Sequence, residues 1–121
     1  IFTLNKDVAT QQALRDAGAE IVLAKAQNNK VDLFDVLTVL AQRECNEIHV
    51  EAGSGLIGAL LQANLIDELI CYLAPKCLGS DAQAAFHLPG LAQLSDAVQL
   101  RFDSVERMGE DLRIRLVNGI Y

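Results

Sequence analysis

The sequence is short of positive charge. Ten Lys and Arg stand against 16 Asp and Glu, for a net charge of −6 with both histidines neutral. Phosphate backbones need a basic surface, so nucleic acid is excluded as the main partner. Long apolar runs are missing too. The longest near-continuous one, Leu56 to Leu61, is far short of a bilayer span, so no membrane partner is expected. The three cysteines, Cys45, Cys71 and Cys77, are odd in number and lack a Cys-x-x-Cys spacing. That argues against a disulfide framework and a zinc site, and points to a reducing, cytoplasmic compartment. There is no fixed-period repeat and no low-complexity tract. Met and a basic-then-apolar leader are absent from the start. Ile1-Phe2-Thr3-Leu4 already reads as a strand, so the chain is expected to have been cut from a longer one.

What is present is a packable mixture. Of the 121 residues, 51% are hydrophobic and 21% charged, the balance of one globular domain. The hydrophobic pattern switches between two periods. Ile1 to Leu4 predicts a strand, and Lys6 to Ala17 a helix with Val8, Ala9, Ala13 and Leu14 as its apolar face and Gly18 as its stop. Glu20 to Ala24 predicts a buried strand and Gln27 to Lys30 a polar loop. A second helix opens at Asp32, its N-cap, with Leu33, Val36, Leu37, Leu40 and Ala41 along one face. Asn46 to Val50 predicts the next strand and Leu56 to Ala63 a third helix. Leu69 to Ala74 is apolar almost throughout, as in a central parallel strand buried on both faces. Pro75 to Asp96 is irregular. Two alternating runs, Val98–Phe102 and Leu112–Leu116, flank Met108-Gly109 and predict an antiparallel hairpin. The expected class is therefore α/β, a mostly parallel sheet with an antiparallel C-terminal hairpin.

The chemistry is concentrated in Ile48-His49-Val50-Glu51-Ala52-Gly53-Ser54-Gly55-Leu56-Ile57-Gly58. A strand ends in a carboxylate, a glycine-rich turn follows, and a helix begins at once. Such a turn gathers N–H groups that have no partner within the helix at the positive end of the helix dipole, where an anion such as a phosphate is held. Gly53, Gly55 and Gly58 match Gly-x-Gly-x-x-Gly. The motif follows the third predicted strand rather than the first, and no acid stands ~20 residues on to bind a ribose, unlike a standard dinucleotide fold. The blander alternative is that the glycines only permit a tight turn. Glu51, at the strand tip, suits sugar hydroxyls or proton transfer; the alternative is a solvated strand-end residue. Lys76 falls at the ligand end of its strand but reads first as a solvated lysine. Asp67-Glu68 reads as a cap or exposed turn, and His49 and His87 as structural before catalytic.

Taken together, Val50 to Leu56, Gly58 to Ala63, Leu65 to Leu69 and Tyr72 to Asp81 resemble the reductase domain of the bifunctional riboflavin-biosynthesis deaminase/reductase. Leu88-Pro89-Gly90-Leu91 and Val105 to Asp111 resemble that family's C-terminal hairpin region. The resemblance covers most of the chain and is strongest from Asn46 to Asp81. It implies the C-terminal portion of a dihydrofolate-reductase-like three-layer sandwich, spanning residues 1–121. It also implies NADPH-dependent reduction of the ribosyl side chain of 5-amino-6-(5-phosphoribosylamino)uracil to ribityl, with association as a homodimer. By the same resemblance Glu51 contacts substrate, and Gly53, Ser54, Gly55, Leu56, Ile57, Gly58 and Ala59 contact NADPH; Ala52 stands where many members carry glycine. No metal is implied. In that family the groups holding the substrate phosphate lie N-terminal to the matching segment, so the chain alone is expected to be inactive. No His-x-Glu with Pro-Cys-x-x-Cys occurs, so deaminase chemistry is not supplied here. A pterin-type reductase of the same fold, a standard dinucleotide-binding module and a non-catalytic dimerisation module remain as alternatives.

Overall fold

The computed structural model describes residues 1–119. They fall into two compact units, the first from Ile1 to His49 and the second from Val50 onward.

In the first unit, β1 (Phe2–Thr3) and β2 (Val22–Leu23) pair in parallel, with Phe2 opposite Val22 and Thr3 opposite Leu23. Helix α1 (Val8–Asp16) connects them. Its N-cap is Asp7, whose carboxylate accepts from the backbone N–H of Thr10 at 2.8 Å and from the Thr10 hydroxyl. Gly18, at φ +89°, ends it as expected, its N–H reaching the Arg15 carbonyl. The predicted apolar face is not buried: Val8 is 74% exposed, and Ala9, Ala13 and Leu14 are exposed as well. An amphipathic stripe is buried only where another element faces it. The buried residue of α1 is Gln11, which donates to the Asn5 carbonyl.

The polar stretch Gln27 to Lys30 is not a simple loop but a hairpin, β3 (Ala26–Gln27) against β4 (Lys30–Val31). Asn28 and Asn29 both take left-handed φ, 51° and 59°, which a two-residue I′ turn demands and asparagine tolerates. Helix α2 (Leu33–Gln42) starts at Asp32 as expected, with the carboxylate accepting from Phe34 and Asp35 N–H. Leu33, Val36, Leu37 and Leu40 are half-buried, while Ala41 is exposed. Lys25 grips Asp35 at 2.8 Å and Arg43 donates to Glu20 through both terminal guanidinium nitrogens, Nη1 and Nη2. Residues 46–50 do not form the predicted strand. Ile48 and Val50 have the composition for one, but a strand exists only where a neighbour completes its ladder, and none does among the described residues.

The second unit begins with α3 (Ser54–Gln62), two residues earlier than its apolar pattern indicated. It carries the core residues Leu60 and Leu61, 6% and 4% exposed. A three-stranded sheet follows in the order β5-β7-β6, with β5 Glu68–Leu73, β6 Leu100–Met108 and β7 Asp111–Asn118. Both pairings are antiparallel. The expected hairpin is therefore present, turning at Gly109, which takes φ +67°. The expected central parallel strand is not. β5 is antiparallel to β7 and borders this sheet, with Tyr72 65% exposed. The register explains the difference. Leu69, Cys71 and Leu73 lie opposite Leu116, Ile114 and Leu112, continuing one apolar face, while Ile70 and Tyr72 lie opposite Arg115 and Arg113. The pairing partner and direction are thus set by β7, information that an apolar run by itself lacks. Among the described residues only β1–β2 is parallel, so the mostly parallel sheet is corrected to a mostly antiparallel arrangement within an α/β chain.

Arg115 ties the sheet together, donating to Glu68 of β5 and to Asp103 of β6 at 2.6 Å each. Asp103 sits at an irregularity between Phe102 and Ser104. Such an extra residue lets the strand bend while its carboxylate still meets Arg115.

Candidate functional site

The residues singled out by sequence, from Glu51 to Ala59, all lie at the start of the second unit. Gly53 is the N-cap of α3. Its backbone is extended at φ −72°, ψ 168°, and its carbonyl accepts from the Ile57 N–H at 3.3 Å. Gly53 itself, being glycine, brings no side chain to cap this helix end. The amides of Ser54, Gly55 and Leu56 therefore form a first turn whose N–H groups find no acceptor within the helix. They point toward the positive end of the dipole, which favours an anion.

The three glycines do different work. A Cβ built on Gly53 or Gly55 would meet nothing within 4 Å among the described residues, so the surface over the helix start is open. A Cβ on Gly58 would lie 2.0 Å from the His87 carbonyl oxygen and 2.8 Å from its carbon. Gly58 is buried under backbone, whereas Gly53, Gly55 and Leu56 are exposed. Ser54, Ile57 and Ala59 are half-buried. Glu51 is exposed, one residue before half-buried Ala52.

The other candidates resolve more plainly. Glu68 is an ion-pair partner of Arg115, which holds its carboxyl below the usual range, and the Asp67 carbonyl accepts from Asn118 N–H. Glu68 is thus the first residue of β5 rather than part of the cap or exposed turn expected for Asp67-Glu68. Lys76 is exposed in a tight turn, its N–H 2.8 Å from the Ala74 carbonyl. Cys71 is half-buried, and burial pushes its thiol pKa up; Cys45 and Cys77 are exposed free thiols. Among the described residues no group of three or more His, Cys, Asp or Glu is placed to hold a metal, and no helix is long and apolar enough to cross a membrane.

What sequence reasoning missed is the segment lying along α3. His87 donates its N–H to the Ser54 carbonyl at 3.0 Å, and Gln62 Nε2 donates to the Pro89 carbonyl at 2.7 Å. These are mostly backbone contacts from an irregular stretch, so no periodicity could reveal them.

Comparison with known proteins places the chain in a family. The RibD C-terminal domain model matches residues 1–114. Escherichia coli RibD, a riboflavin biosynthesis protein, is 46% identical over 98 residues, which cover 81% of this chain and 27% of that protein. A protein of Buchnera aphidicola subsp. Acyrthosiphon pisum named 5-amino-6-(5-phosphoribosylamino)uracil reductase is 39% identical, covering 78% of this chain and 46% of that one. The solved structure of Acinetobacter baumannii RibD, form 1, has a TM-score of 0.75 at 29% identity, covering 90% of this chain and 29% of its own. The chain spans less than half the length of these relatives. In sequence and in fold alike, it belongs to the RibD C-terminal domain family.

Proposed function

We propose that this chain is the C-terminal portion of a dihydrofolate-reductase-like, three-layer reductase domain acting in riboflavin biosynthesis. The reaction is reduction of the ribosyl side chain of 5-amino-6-(5-phosphoribosylamino)uracil to ribityl, with NADPH as reductant, in a cytoplasmic homodimer. The observation that carries the proposal is the start of α3: a glycine cap without side-chain bonds, and two glycines whose Cβ positions are open. A pyrophosphate fits there because its oxygens can approach the first-turn amides with no side chain between. Likeness to a protein named 5-amino-6-(5-phosphoribosylamino)uracil reductase supports this substrate class.

The roles divide by position. Gly53, Ser54 and Gly55 hold the cofactor pyrophosphate through backbone N–H groups. Leu56, Ile57, Gly58 and Ala59 continue the turn and fix its direction. Glu51 orients the ribosyl hydroxyls by accepting their hydrogen bonds. When bound, the nicotinamide group supplies the hydride, and the chain's contribution is positioning and electrostatics. At α3 the anion is met by neutral backbone donors rather than by a Lys or Arg, since Glu51 to Gln62 contains neither.

The test is kinetic. In the protein as the cell makes it, Glu51→Gln removes the negative acceptor and keeps the shape. Turnover of the ribosylamino substrate falls by about tenfold or more while NADPH affinity stays within about twofold. Unchanged turnover removes Glu51 from substrate binding. Failure of the unaltered protein to oxidise NADPH with this substrate removes the reductase assignment.

A further inference from the structure

Ser54, Gly58 and Gln62 follow one another at four-residue intervals along α3, so they share one stripe of the helix surface. Each meets the same irregular segment. At the N-terminal end Gln83 Nε2 lies 3.4 Å from Ser54 Oγ, and the His87 N–H donates to the Ser54 carbonyl. One turn on, the His87 backbone presses against Gly58, with its carbonyl oxygen, carbon and nitrogen 2.0, 2.8 and 3.1 Å from where a Cβ would stand. Two turns on, Gln62 Nε2 holds the Pro89 carbonyl. Residues 83–89 therefore run as a strap beside the helix, pinned at both ends and seated in the middle where a side chain is missing. The blocking atoms at Gly58 are backbone, which cannot swing aside as a side-chain tip can.

The strap bears on the turn assigned to the cofactor. Ser54 is the first residue of α3, beside the Gly53 cap, and it is the residue the strap grips by both its carbonyl and its hydroxyl. A helix that starts at glycine gets no cap from that residue's own side chain, so contacts from outside the helix matter more for holding its first turn. We propose that the 83–89 strap is the brace that fixes the N-terminal turn of α3 in its cofactor-binding attitude, and that Gly58 is a positioning residue that admits the strap rather than a glycine approached by phosphate. This inference rests on the cofactor site proposed above.

The experiment uses the protein as the cell makes it, with NADPH as probe. The double variant Gln62→Ala, Gln83→Ala removes both side-chain latches and leaves Gly58 and the first-turn amides intact. The KM for NADPH is expected to rise about threefold to tenfold, the effect of losing one or two modest hydrogen bonds, with kcat within about twofold. Hydrogen exchange at the amides of Ser54 to Ile57 is expected to quicken by a similar factor. Gly58→Ala is expected to raise KM further in its folded fraction; should it fail to fold, the double variant decides. Unchanged KM and unchanged exchange in the double variant overturn the brace. A lowered melting temperature with KM unchanged overturns it equally, because it reduces the strap to a merely structural role. If the unaltered protein shows no NADPH saturation, the cofactor site fails, and the exchange measurement alone still decides whether the strap holds the turn.

Discussion

Helices α1 and α3 are the same length, nine residues each, yet they are stabilised in opposite ways. α1 is closed at its N-terminus by Asp7, which accepts from Thr10 by backbone and hydroxyl, and it buries little beyond Gln11. α3 has no side chain at its cap and instead buries Gly58, Leu60 and Leu61 along its length. A helix whose own carboxylate fills the positive end has no use for a second anion there. A helix anchored by its flank can leave that end open. The contrast is between a helix held at its end and a helix held along its flank.

The largest effect that would break this contrast is at Gly58. Gly58→Ala sets a methyl group against the His87 backbone and is expected to cost about 1–3 kcal/mol, read as a fall in melting temperature. Gly55→Ala is the same chemical change three residues earlier in the same helix, where the Cβ meets nothing. It is expected to stabilise by up to about 1 kcal/mol, because alanine loses less backbone freedom on folding, while weakening NADPH binding. Equal stability effects at the two glycines would refute the division of labour between them.

A smaller effect sharpens the other half of the comparison. Asp7→Ala is expected to lower the melting temperature and leave the KM for NADPH unchanged. Acid should act similarly on the intact protein. The Thr10 hydroxyl holds the Asp7 carboxyl below its usual pKa, and Arg43, Lys25 and Arg115 do the same for Glu20, Asp35 and Glu68. Carboxyls depressed in the folded state stabilise above their unfolded pKa and lose that contribution as pH falls through the folded value. Thermal melts should therefore be flat near neutrality and fall below about pH 4, with a shallower fall in Asp7→Ala.

Much of this was legible in the residues. Asp32 announces α2, Gly18 ends α1, and the alternation around Gly109 gives the β6–β7 hairpin, because each signal is local. Pairing is not local. Nothing within Leu69 to Ala74 says that β7 lies beside it in antiparallel register, and nothing within Asn46 to Val50 says that no ladder forms. The Asn28-Asn29 hairpin carried a usable sign, two residues tolerant of left-handed φ, that polarity disguised as a loop. At the site, the Gly-x-Gly-x-x-Gly spacing located the turn. It gave no means of telling the open Gly53 and Gly55 from the strap-covered Gly58.

The proposed cofactor site places the phosphate at the glycine-started first turn of α3. Gly53→Asp tests it most directly, by giving α3 the cap that α1 already has. The change should stabilise the helix by about a few tenths of a kcal/mol while occupying the first-turn amides with a fixed negative charge. Titration of the protein as the cell makes it with NADPH, followed by nucleotide fluorescence, should show affinity weakened by about tenfold or more at an equal or higher melting temperature. NADPH affinity equal to that of the unaltered protein would contradict the account.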